Sequence, residues 1–209
     1  MRLLWPAFAA LSGGRVLYRD HSGRRRLFLT FDDGPCRETT PRLLDLLAEH
    51  RIQATFFMVG WRMVLWPEGV EAVARRGHEL GNHTMTHTRF SWLTARAKRL
   101  ELSFADRLLK ELGGVEGAPF RLPYAEDSPD LIAFCVGEGR RVALWSKDSL
   151  DYRLHGEDVL LRFRESPVCP GDIVLFHDDG EAAATALSIL LPRWRDEGYT
   201  FGGLSEVSL

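Results

Sequence analysis

The stretch LFLTFDDGP, residues 27–35, joins an apolar run to two adjacent aspartates and a Gly-Pro pair. The apolar residues 27–31 predict a strand, and the Gly-Pro pair turns the chain away where that strand ends. Adjacent carboxylates repel each other, and a turn of this kind needs at most one of them. Asp32 and Asp33 therefore indicate a function beyond the turn.

Outward from this strand, short apolar or β-branched segments alternate with longer amphipathic ones. Seven segments predict strands, at 27–31, 54–59, 79–82, 120–123, 142–145, 173–176 and 199–201. Six segments predict helices, at 39–50, 67–77, 94–114, 129–138, 156–164 and 181–197, the last disturbed by Pro192. Alternation repeated this often predicts an α/β fold with a parallel sheet, which is either open or closed into a barrel.

The composition is that of an ordinary globular protein, with 45% apolar and 27% charged residues in 209. The chain has no low-complexity tract and no long linker, so we expect a single domain over 1–209, with its informative motifs at about 27–204. The net charge of −2 gives no general attraction to nucleic acid or to an anionic membrane surface. We expect a monomer.

The N-terminal stretch MRLLWPAFAALSGG, residues 1–14, mimics a secretory signal peptide, with one arginine and a short apolar run. Pro6 interrupts that run and no clean cleavage site follows, so we expect the segment to pack on the domain. Whether the protein is cytoplasmic or belongs to the cell envelope or exterior stays open. No run reaches the ~20 apolar residues of a membrane-spanning helix.

The cysteines are three in number and have no Cys-x-x-Cys spacing. They predict neither a disulfide framework nor a thiolate zinc site. Cys135 lies in an apolar stretch and is interpreted as a small core residue. Cys36 follows the aspartate pair closely enough to approach a bound metal, but we interpret it, like Cys169, as having no catalytic part.

Five polar clusters follow five of the predicted strands. They are DDGP at 32–35, NHTMTH at 82–87, FRLPY at 120–124, WSKDSLDY at 145–152 and LFHDDG at 175–180. In α/β barrels the active site forms from the loops at the carboxyl ends of the strands. Five such clusters at one end of the sheet therefore predict an enzyme.

His83 and His87 lie four residues apart, so a helical face or a turn can bring both imidazoles to one metal. A carboxylate from another strand end completes a set of two histidines and one acid. Such a set leaves coordination positions open, as catalytic zinc and related divalent sites require. Neighbouring residues at a strand end point in different directions, so one aspartate can bind the metal while the other acts as a base.

The segments TFDDGP, HTMTH, RLPY, KDSLDY and DIVLFH resemble, in order and approximate spacing, the five motifs of the polysaccharide deacetylase family, also called the NodB homology domain. The motifs span 30–177, and the family domain would cover nearly the whole chain. The resemblance implies a distorted (β/α)7 barrel, in agreement with the seven predicted strands. It also implies one divalent metal ion, usually zinc with cobalt or nickel as substitutes, and removal of an acetyl group from a sugar.

Residue by residue, the resemblance implies a division of labour within the site. Asp33, His83 and His87 are the implied metal ligands. Asp32 is the implied general base, which takes a proton from the attacking water. Arg121 is the implied partner of Asp32, because an adjacent guanidinium keeps a carboxylate ionised and oriented.

The resemblance also assigns the second half of the reaction. The backbone N–H of Tyr124 would help to stabilise the tetrahedral oxyanion. His177 would be the general acid that protonates the leaving amine, and Asp151 would raise the pKa of His177. Tyr152 and Leu175 would help to form the wall of the acetyl pocket.

Three residues depart from the common family pattern. Leu122 stands where proline is frequent, Ala125 where glycine is usual, and Tyr152 where tryptophan is usual. None of these changes removes a catalytic group. They affect the stiffness of the loop, the position of the oxyanion N–H and the size of the pocket.

The leading hypothesis is a metal-dependent deacetylase that removes N-acetyl groups from an acetylated glycan containing N-acetylglucosamine. An O-acetyl esterase on xylan or another acetylated polysaccharide is a close alternative, because the same attack by water serves esters. A carbohydrate-binding protein without activity is a third hypothesis, but such a protein should have lost a base, an acid or a metal ligand. The sequence does not distinguish between chitin oligomers, peptidoglycan, an exopolysaccharide and xylan.

Overall fold

The computed structural model describes residues 5, 6, 9, 12–126 and 128–208. In this part the strands are β1 Val16–Leu17, β2 Arg26–Gly34, β3 Thr55–Met58, β4 Glu79–Asn82, β5 Val142–Ala143, β6 Lys147–Asp148, β7 Ile173–His177 and β8 Thr200–Phe201. The α-helices are α1 Thr40–Glu49, α2 Gly60–Leu65, α3 Pro67–Arg75, α4 Ala95–Gly113, α5 Pro129–Gly137, α6 Gly156–Glu165 and α7 Glu181–Asp196.

The named strands pair in parallel, which confirms the sheet type expected from strand–helix alternation. The central order is β4-β3-β2-β7-β6, and β8 pairs with the start of β2. Phe120 bridges Asn82 on one side and Val142 on the other, so pairing continues from β4 to β5. Residues 144–146 connect β5 to β6 along the chain, so the strands follow one another around a ring. The expected distorted (β/α)7 barrel is confirmed.

Two of the predicted strands differ in the structure. Segment 120–123 makes only the two isolated bridges of Phe120, because Pro123 lacks an N–H and the next two residues have positive φ. Segment 142–145 is a strand only at 142–143, where β5 pairs with β1. The chain then changes partner, and β6, which lies beyond the predicted segment, pairs with β7. The short strand β1 was not predicted from the sequence.

The helices agree with the predicted segments to within two residues at each end, and α2 is additional. Helix α7 continues through Pro192, because Leu190, Leu191 and Trp194 pack both sides of the proline into the core. Helix α4 buries Leu102, Ala105 and Leu109. The leucine and phenylalanine at 100 and 104, which show the same helical spacing, are 44% and 51% exposed.

The core has two parts because successive strand residues point to opposite faces of the sheet. Leu29 and Phe31 of β2 pack against the surrounding helices, whereas Phe28 lies in the second cluster with Phe57 and Leu175. The barrel therefore has a packed interior and a packed outer layer, and its strands are held in position on both faces. This fixes the strand ends that carry the polar clusters.

The expectation that the N-terminal segment packs on the domain is only partly covered by the described residues. Trp5 is buried and lies edge-on to Tyr18 and Trp145, with ring centroids 5.7 and 5.2 Å apart. Residues 1–4, 7, 8, 10 and 11 lie outside the described part. Within the described part, no helix is long and apolar enough to cross a membrane.

Candidate active site

The polar clusters at the carboxyl ends of the strands line one cavity of about 350 Å³, a volume within the range of ligand pockets. Eight of the ten residues singled out from the sequence lie on its wall: Asp32, Asp33, His83, His87, Tyr124, Tyr152, Leu175 and His177. Arg121 and Asp151 lie behind the wall, each bonded to a residue that lines it. The structure therefore brings all ten together.

Asp33, His83 and His87 converge in a way that suits a metal ion. One ligand atom from each lies within 4.8 Å of the other two. Oδ1 of Asp33 is 3.4 Å from Nε2 of His83 and 3.0 Å from Nε2 of His87. This oxygen is buried and has no partner in hydrogen-bonding geometry among the described residues. Burial alone would raise the pKa of Asp33, but the two imidazoles outweigh it and hold the pKa below its ordinary value.

The orientation of His83 is fixed from outside the cluster. Its Nδ1 lies 2.9 Å from the carbonyl oxygen of Arg121, which only accepts hydrogen bonds, so Nδ1 carries the proton. In the neutral ring Nε2 then has its lone pair directed at the cluster, as in a metal-ligating histidine. An ionised carboxylate and two imidazole nitrogens form a donor set that fits zinc or a related divalent ion.

The His-x3-His segment is a turn and not a helix. The Asn82 side chain accepts from the backbone N–H of Thr84 at 2.8 Å, and the Thr84 hydroxyl accepts from the N–H of His87 at 2.9 Å. Seven described residues other than glycine have positive φ, and six of them lie at the site or within two residues of a site residue: Asp33, Thr84, His87, Tyr124, Ala125 and Leu150. Backbone strain of this kind concentrates at functional sites.

Asp32 is held by a buried guanidinium. Nη1 of Arg121 donates to Oδ1 of Asp32 at 2.8 Å and to the hydroxyl of Thr30 at 2.8 Å. Nε and Nη2 donate to the carbonyl oxygens of residues 143 and 144, and the guanidinium lies 4.3 Å from the ring centroid of Phe57. Burial lowers the pKa of Arg121, and the charge of Asp32 opposes that shift. These contacts hold the guanidinium in one place, and its hydrogen bond to Oδ1 therefore fixes the position of Asp32.

His177 is held by a second carboxylate. Its Nδ1 lies 2.8 Å from Oδ1 of Asp151, and its backbone N–H donates to Oδ2 of Asp151 at 2.8 Å. Ser149 donates to Oδ1 at 2.7 Å and fixes the carboxylate. Burial lowers the pKa of His177, but Asp151 outweighs it and raises the pKa to about 9. The imidazole is therefore protonated at neutral pH. Its Nδ1 donates to Asp151, and its Nε2 is the nitrogen that can donate to a ligand in the cavity.

The site contains residues that the sequence analysis missed. Arg89, Trp145 and Asp148 line the cavity beside the predicted ones. Arg89 follows His87 by two residues, and Asp148 belongs to the KDSLDY motif. Their closeness along the chain to predicted site residues could have identified both as site candidates. Trp145 is the first residue of the WSKDSLDY cluster, so it had the same signal, but an aromatic residue at the end of a predicted strand was interpreted as part of the core.

Asp178 was also missed, although it supports the loop that carries the aspartate pair. It is completely buried, its Oδ2 accepts from the hydroxyl of Thr40 at 2.6 Å, and its N–H donates to the carbonyl of Asp32 at 2.7 Å. A Cβ on Gly34 would lie 2.3 Å from Oδ2, so only glycine fits there. Burial raises the pKa of Asp178 well above its ordinary value, which favours the uncharged carboxyl at this position.

The cysteines lie outside the metal cluster of the described residues, which contains one aspartate and two histidines. Sγ of Cys36 is 3.1 Å from Oε2 of Glu38. Cys135 is buried, and burial raises the pKa of its thiol to about 12. Cys169 is exposed.

Known proteins are similar to this chain in sequence and in fold. Residues 19–135 match a family model described as polysaccharide deacetylase. The chain is similar to a chitooligosaccharide deacetylase of Bradyrhizobium sp. (strain ANU 289), with 32% identity over 216 aligned positions covering 96% of this chain and 98% of the relative. It is also similar to a solved peptidoglycan N-acetylglucosamine deacetylase, with a TM-score of 0.88, 25% identity and coverage of 96% of this chain and 95% of the other.

A further solved structure of this fold is a mutant of a CE4 family pseudoenzyme with restored enzymatic activity. It has a TM-score of 0.83 and 25% identity, and the alignment covers 92% of this chain and 70% of the other. The family match covers more than half of this chain and the rhizobial relative nearly all of it. The chain therefore belongs to the polysaccharide deacetylase family.

Proposed function

We propose that this protein is a metal-dependent hydrolase that removes the N-acetyl group from N-acetylglucosamine residues of a glycan. The observation that carries the proposal is one cavity that holds a metal-type cluster, a positioned carboxylate and a protonated imidazole. Relatives named as deacetylases of chitooligosaccharide and of peptidoglycan N-acetylglucosamine support the choice of substrate.

Asp33, His83 and His87 would hold the ion. When bound, a divalent ion, which we propose to be zinc, supplies Lewis acidity that polarises the acetyl carbonyl and lowers the pKa of water. Asp33 contributes a negative charge to this cluster, and the two imidazoles contribute neutral ligands. The remaining steps belong to side chains of the chain itself.

Asp32 would accept a proton from the water that attacks the acetyl carbon. Arg121 positions it for this role through a hydrogen bond of 2.8 Å to Oδ1, so Oδ2 remains for the water. Oδ2 lies 3.7 Å from Nε2 of His83, beside the metal-type cluster. A base in this position can take the proton from the water at the point where that water would attack the acetyl carbon. The backbone N–H of Tyr124 would help to stabilise the oxyanion.

His177 would donate a proton to the nitrogen that leaves. Its pKa of about 9 keeps the proton on the ring at neutral pH, and Asp151 engages Nδ1 so that Nε2 is the donor. An amine is a poor leaving group unless it is protonated, whereas an alcohol depends less on such help. Amide hydrolysis therefore accounts for the Asp151–His177 pair better than ester hydrolysis does. Leu175 and Tyr152 would bound the space for the acetyl methyl group.

Mass spectrometry of products from defined acetylated oligosaccharides tests the proposal. N-acetylglucosamine oligomers should lose acetyl groups, and an Asp32→Asn variant of the same metal content should act far more slowly. Preferential loss of O-acetyl groups from acetylated xylan oligomers would instead support the esterase. Binding of the oligomers without loss of any acetyl group, by a metal-loaded protein, would support a protein without activity.

A further inference from the structure

A second cavity, of about 500 Å³, lies at the amino ends of β1 and β5. Arg15 directly precedes β1 and Arg141 directly precedes β5, and both line this cavity together with Arg140. The metal-type cluster lies at the carboxyl ends of other strands, and among the described residues the two cavities have no lining residue in common. We call this second cavity the arginine pocket.

The sheet brings Arg15 and Arg141 side by side. Strands β1 and β5 are parallel with Val16 opposite Val142, and the backbone N–H of Val142 donates to the carbonyl oxygen of Arg15 at 2.6 Å. The two arginines therefore occupy neighbouring positions on strands that lie about 4.8 Å apart. Like charges in such positions repel each other and lower the stability of the sheet.

Neither of these two arginines has a carboxylate partner in the part of the chain that the structure describes. The guanidinium of Arg141 donates to the carbonyl oxygen of Leu204 at 3.4 Å. The side chain of Arg15 is exposed and makes no hydrogen bond or ion pair with any described residue. Two adjacent positive charges are thus left without a counter-charge.

The other charges at or beside the arginine pocket are matched. They form three pairs: Arg140 with Asp106, Glu138 with Arg99, and Lys110 with Glu116. The unbalanced charge of the pocket therefore comes from Arg15 and Arg141. An anion is the kind of ligand that would balance it.

The wall of the pocket leaves room for such a ligand. Four of the nine residues that line it are glycines, which place no side chain in the space. Gly117 and Gly139 have φ of 67° and 80°, so their turns favour glycine. A Cβ built on either of them would meet no atom within 4 Å, which shows that the space beside them is open.

Two adjacent guanidinium groups match the chemistry of a phosphate monoester. Each guanidinium presents parallel N–H donors that fit two oxygen atoms of a phosphate, and it remains charged at all pH values at which the protein is folded. A phosphate monoester carries about 1.5 to 2 negative charges at pH 7, which balances both arginines. A carboxylate or a phosphodiester carries a single negative charge and would balance one of them.

We propose that the arginine pocket binds a phosphate monoester group, at a site separate from the proposed catalytic one. The inference does not depend on the proposed function, because Arg15 and Arg141 belong to neither the metal-type cluster nor its cavity. The bound phosphate removes the repulsion between the two arginines. It therefore stabilises the folded protein as its concentration rises above its dissociation constant.

Calorimetric titration of the metal-loaded protein with inorganic phosphate tests the proposal. The double variant Arg15→Gln, Arg141→Gln should bind phosphate at least about tenfold more weakly than the wild type, since it lacks both charge-assisted contacts. Arg164→Gln, at an exposed position of α6 outside the pocket, should bind as the wild type does. Phosphate bound at the metal-type cluster contributes equally in all three proteins, so the difference between them reports the arginine pocket.

Arg140 stays unchanged in this test. Its partner Asp106 also accepts a hydrogen bond from the side chain of Asn82 at 2.6 Å, and Asn82 in turn accepts from the backbone N–H of Thr84. A change at Arg140 would therefore disturb the turn that carries the two histidines of the metal-type cluster.

Thermal unfolding provides a second measurement and shows whether the variants fold. Without phosphate the double variant should unfold at the wild-type temperature or above it, because the repulsion between like charges is gone. Inorganic phosphate should raise the Tm of the wild type and of Arg164→Gln more than that of the double variant. Acetate at the same ionic strength should not reproduce this difference.

Three results would overturn the proposal. The first is equal phosphate affinity in the wild type and the double variant. The second is an equal loss of affinity in Arg164→Gln, which would indicate a general effect of charge. The third is no binding of inorganic phosphate together with binding to phosphatidylglycerol vesicles that requires Arg15 and Arg141, since the two arginines would then serve an anionic membrane surface.

Discussion

His177 and Asp151 contact each other twice: Nδ1 of the imidazole lies 2.8 Å from Oδ1, and the backbone N–H of His177 donates to Oδ2 at 2.8 Å. The second contact fixes the carboxylate relative to β7 whatever the charge of the ring. The first contact favours the protonated ring, and with it the pKa of His177 is raised to about 9 although burial lowers it. The pair is therefore arranged to keep an acid protonated in a largely buried position.

Replacing Asp151 with asparagine should move the alkaline limb of the pH–activity profile to lower pH. The proposed acid works only when protonated, so activity is present below the pKa of His177 and is lost as pH rises through about 9. Loss of the partner's negative charge should lower that pKa by about 1–3 units. The acidic limb should stay where it is. Asp158→Asn, at an exposed position of α6, is the control, and an unchanged alkaline limb in a folded, metal-loaded Asp151→Asn contradicts the pairing.

Replacing either His83 or His87 with alanine should remove most of the bound metal and most of the activity. Both imidazoles place Nε2 near Oδ1 of Asp33, so each would supply one ligand atom, and the cluster found among the described residues contains no fourth group to replace it. Metal content by atomic emission after dialysis is the readout. His50→Ala, at the end of α1, should keep the wild-type content. Wild-type content in both cluster variants would show that the ion is held elsewhere.

Replacing Arg121 with methionine should lower the free energy of unfolding by about 3–5 kcal/mol, because it leaves the buried carboxylate of Asp32 without its partner. Arg107 on α4 forms an exposed pair with Glu111, and Arg107→Met should leave the free energy of unfolding nearly unchanged, because exposed ion pairs contribute little to stability. Chemical denaturation measures both. Similar losses of unfolding free energy in the two variants would mean that the buried Arg121–Asp32 pair contributes no more to stability than an exposed pair does.

Replacing Asp178 with asparagine should stabilise the protein increasingly as pH rises. The pKa of Asp178 in the folded protein is raised above the unfolded value of 3.8. Between these two pKa values the folded state keeps a proton that the unfolded state has lost. The free energy of unfolding of the wild type therefore falls as pH rises from about 3.8 toward the folded pKa. Asparagine is neutral at every pH and removes that loss. Thermal unfolding of wild type and variant should thus coincide most closely near pH 4 and diverge above it. Asp45→Asn, at an exposed position, should show no such divergence; a pH-independent difference for Asp178→Asn would mean that the carboxyl is charged.

The sequence predicted which residues meet at the site better than it predicted the strands that carry them. His83, His87 and one of the aspartates at 32 and 33 could be predicted as a cluster, because two histidines and an acid that follow predicted strands are typical of a divalent metal site. The choice of Asp33 came from the family motifs, and the structure brings ligand atoms of Asp33, His83 and His87 within 4.8 Å of one another. Arg121 and Asp151 were predicted through the family motifs alone. Their role as partners behind the cavity wall depends on tertiary packing, which spacing along the chain does not report.

The framework was predicted where local pattern and tertiary packing agree, and missed where they do not. The parallel sheet followed from strand–helix alternation, whereas its barrel form followed from the family motifs. The strand expected at 120–123 is reduced to the two isolated bridges of Phe120, since Pro123 and the positive φ of Tyr124 end it. On α4 two sets of residues have helical spacing, and only packing against the barrel decides that Leu109 is buried and Phe104 is exposed.

Arg89 and Asp178 show the other limit of the sequence. Both lie next to predicted site residues. The sequence does not show, however, that the guanidinium of Arg89 lies over Tyr124 and not in solvent. It also does not show that Asp178 is a buried carboxyl with a raised pKa and not a metal ligand. Their surroundings come from segments distant along the chain: Glu126 for Arg89, and Thr40 for Asp178. Such contacts become visible only in three dimensions.

Acetate release from an N-acetylglucosamine tetramer, before and after removal of metal, tests the central claim most directly. The protein depleted with a chelator should release no acetate, and one equivalent of zinc per chain should restore the rate, with cobalt or nickel as substitutes. The same addition should restore nothing in His83→Ala. An unchanged rate of acetate release after verified removal of metal, or no release by the zinc-loaded wild type, would contradict the account.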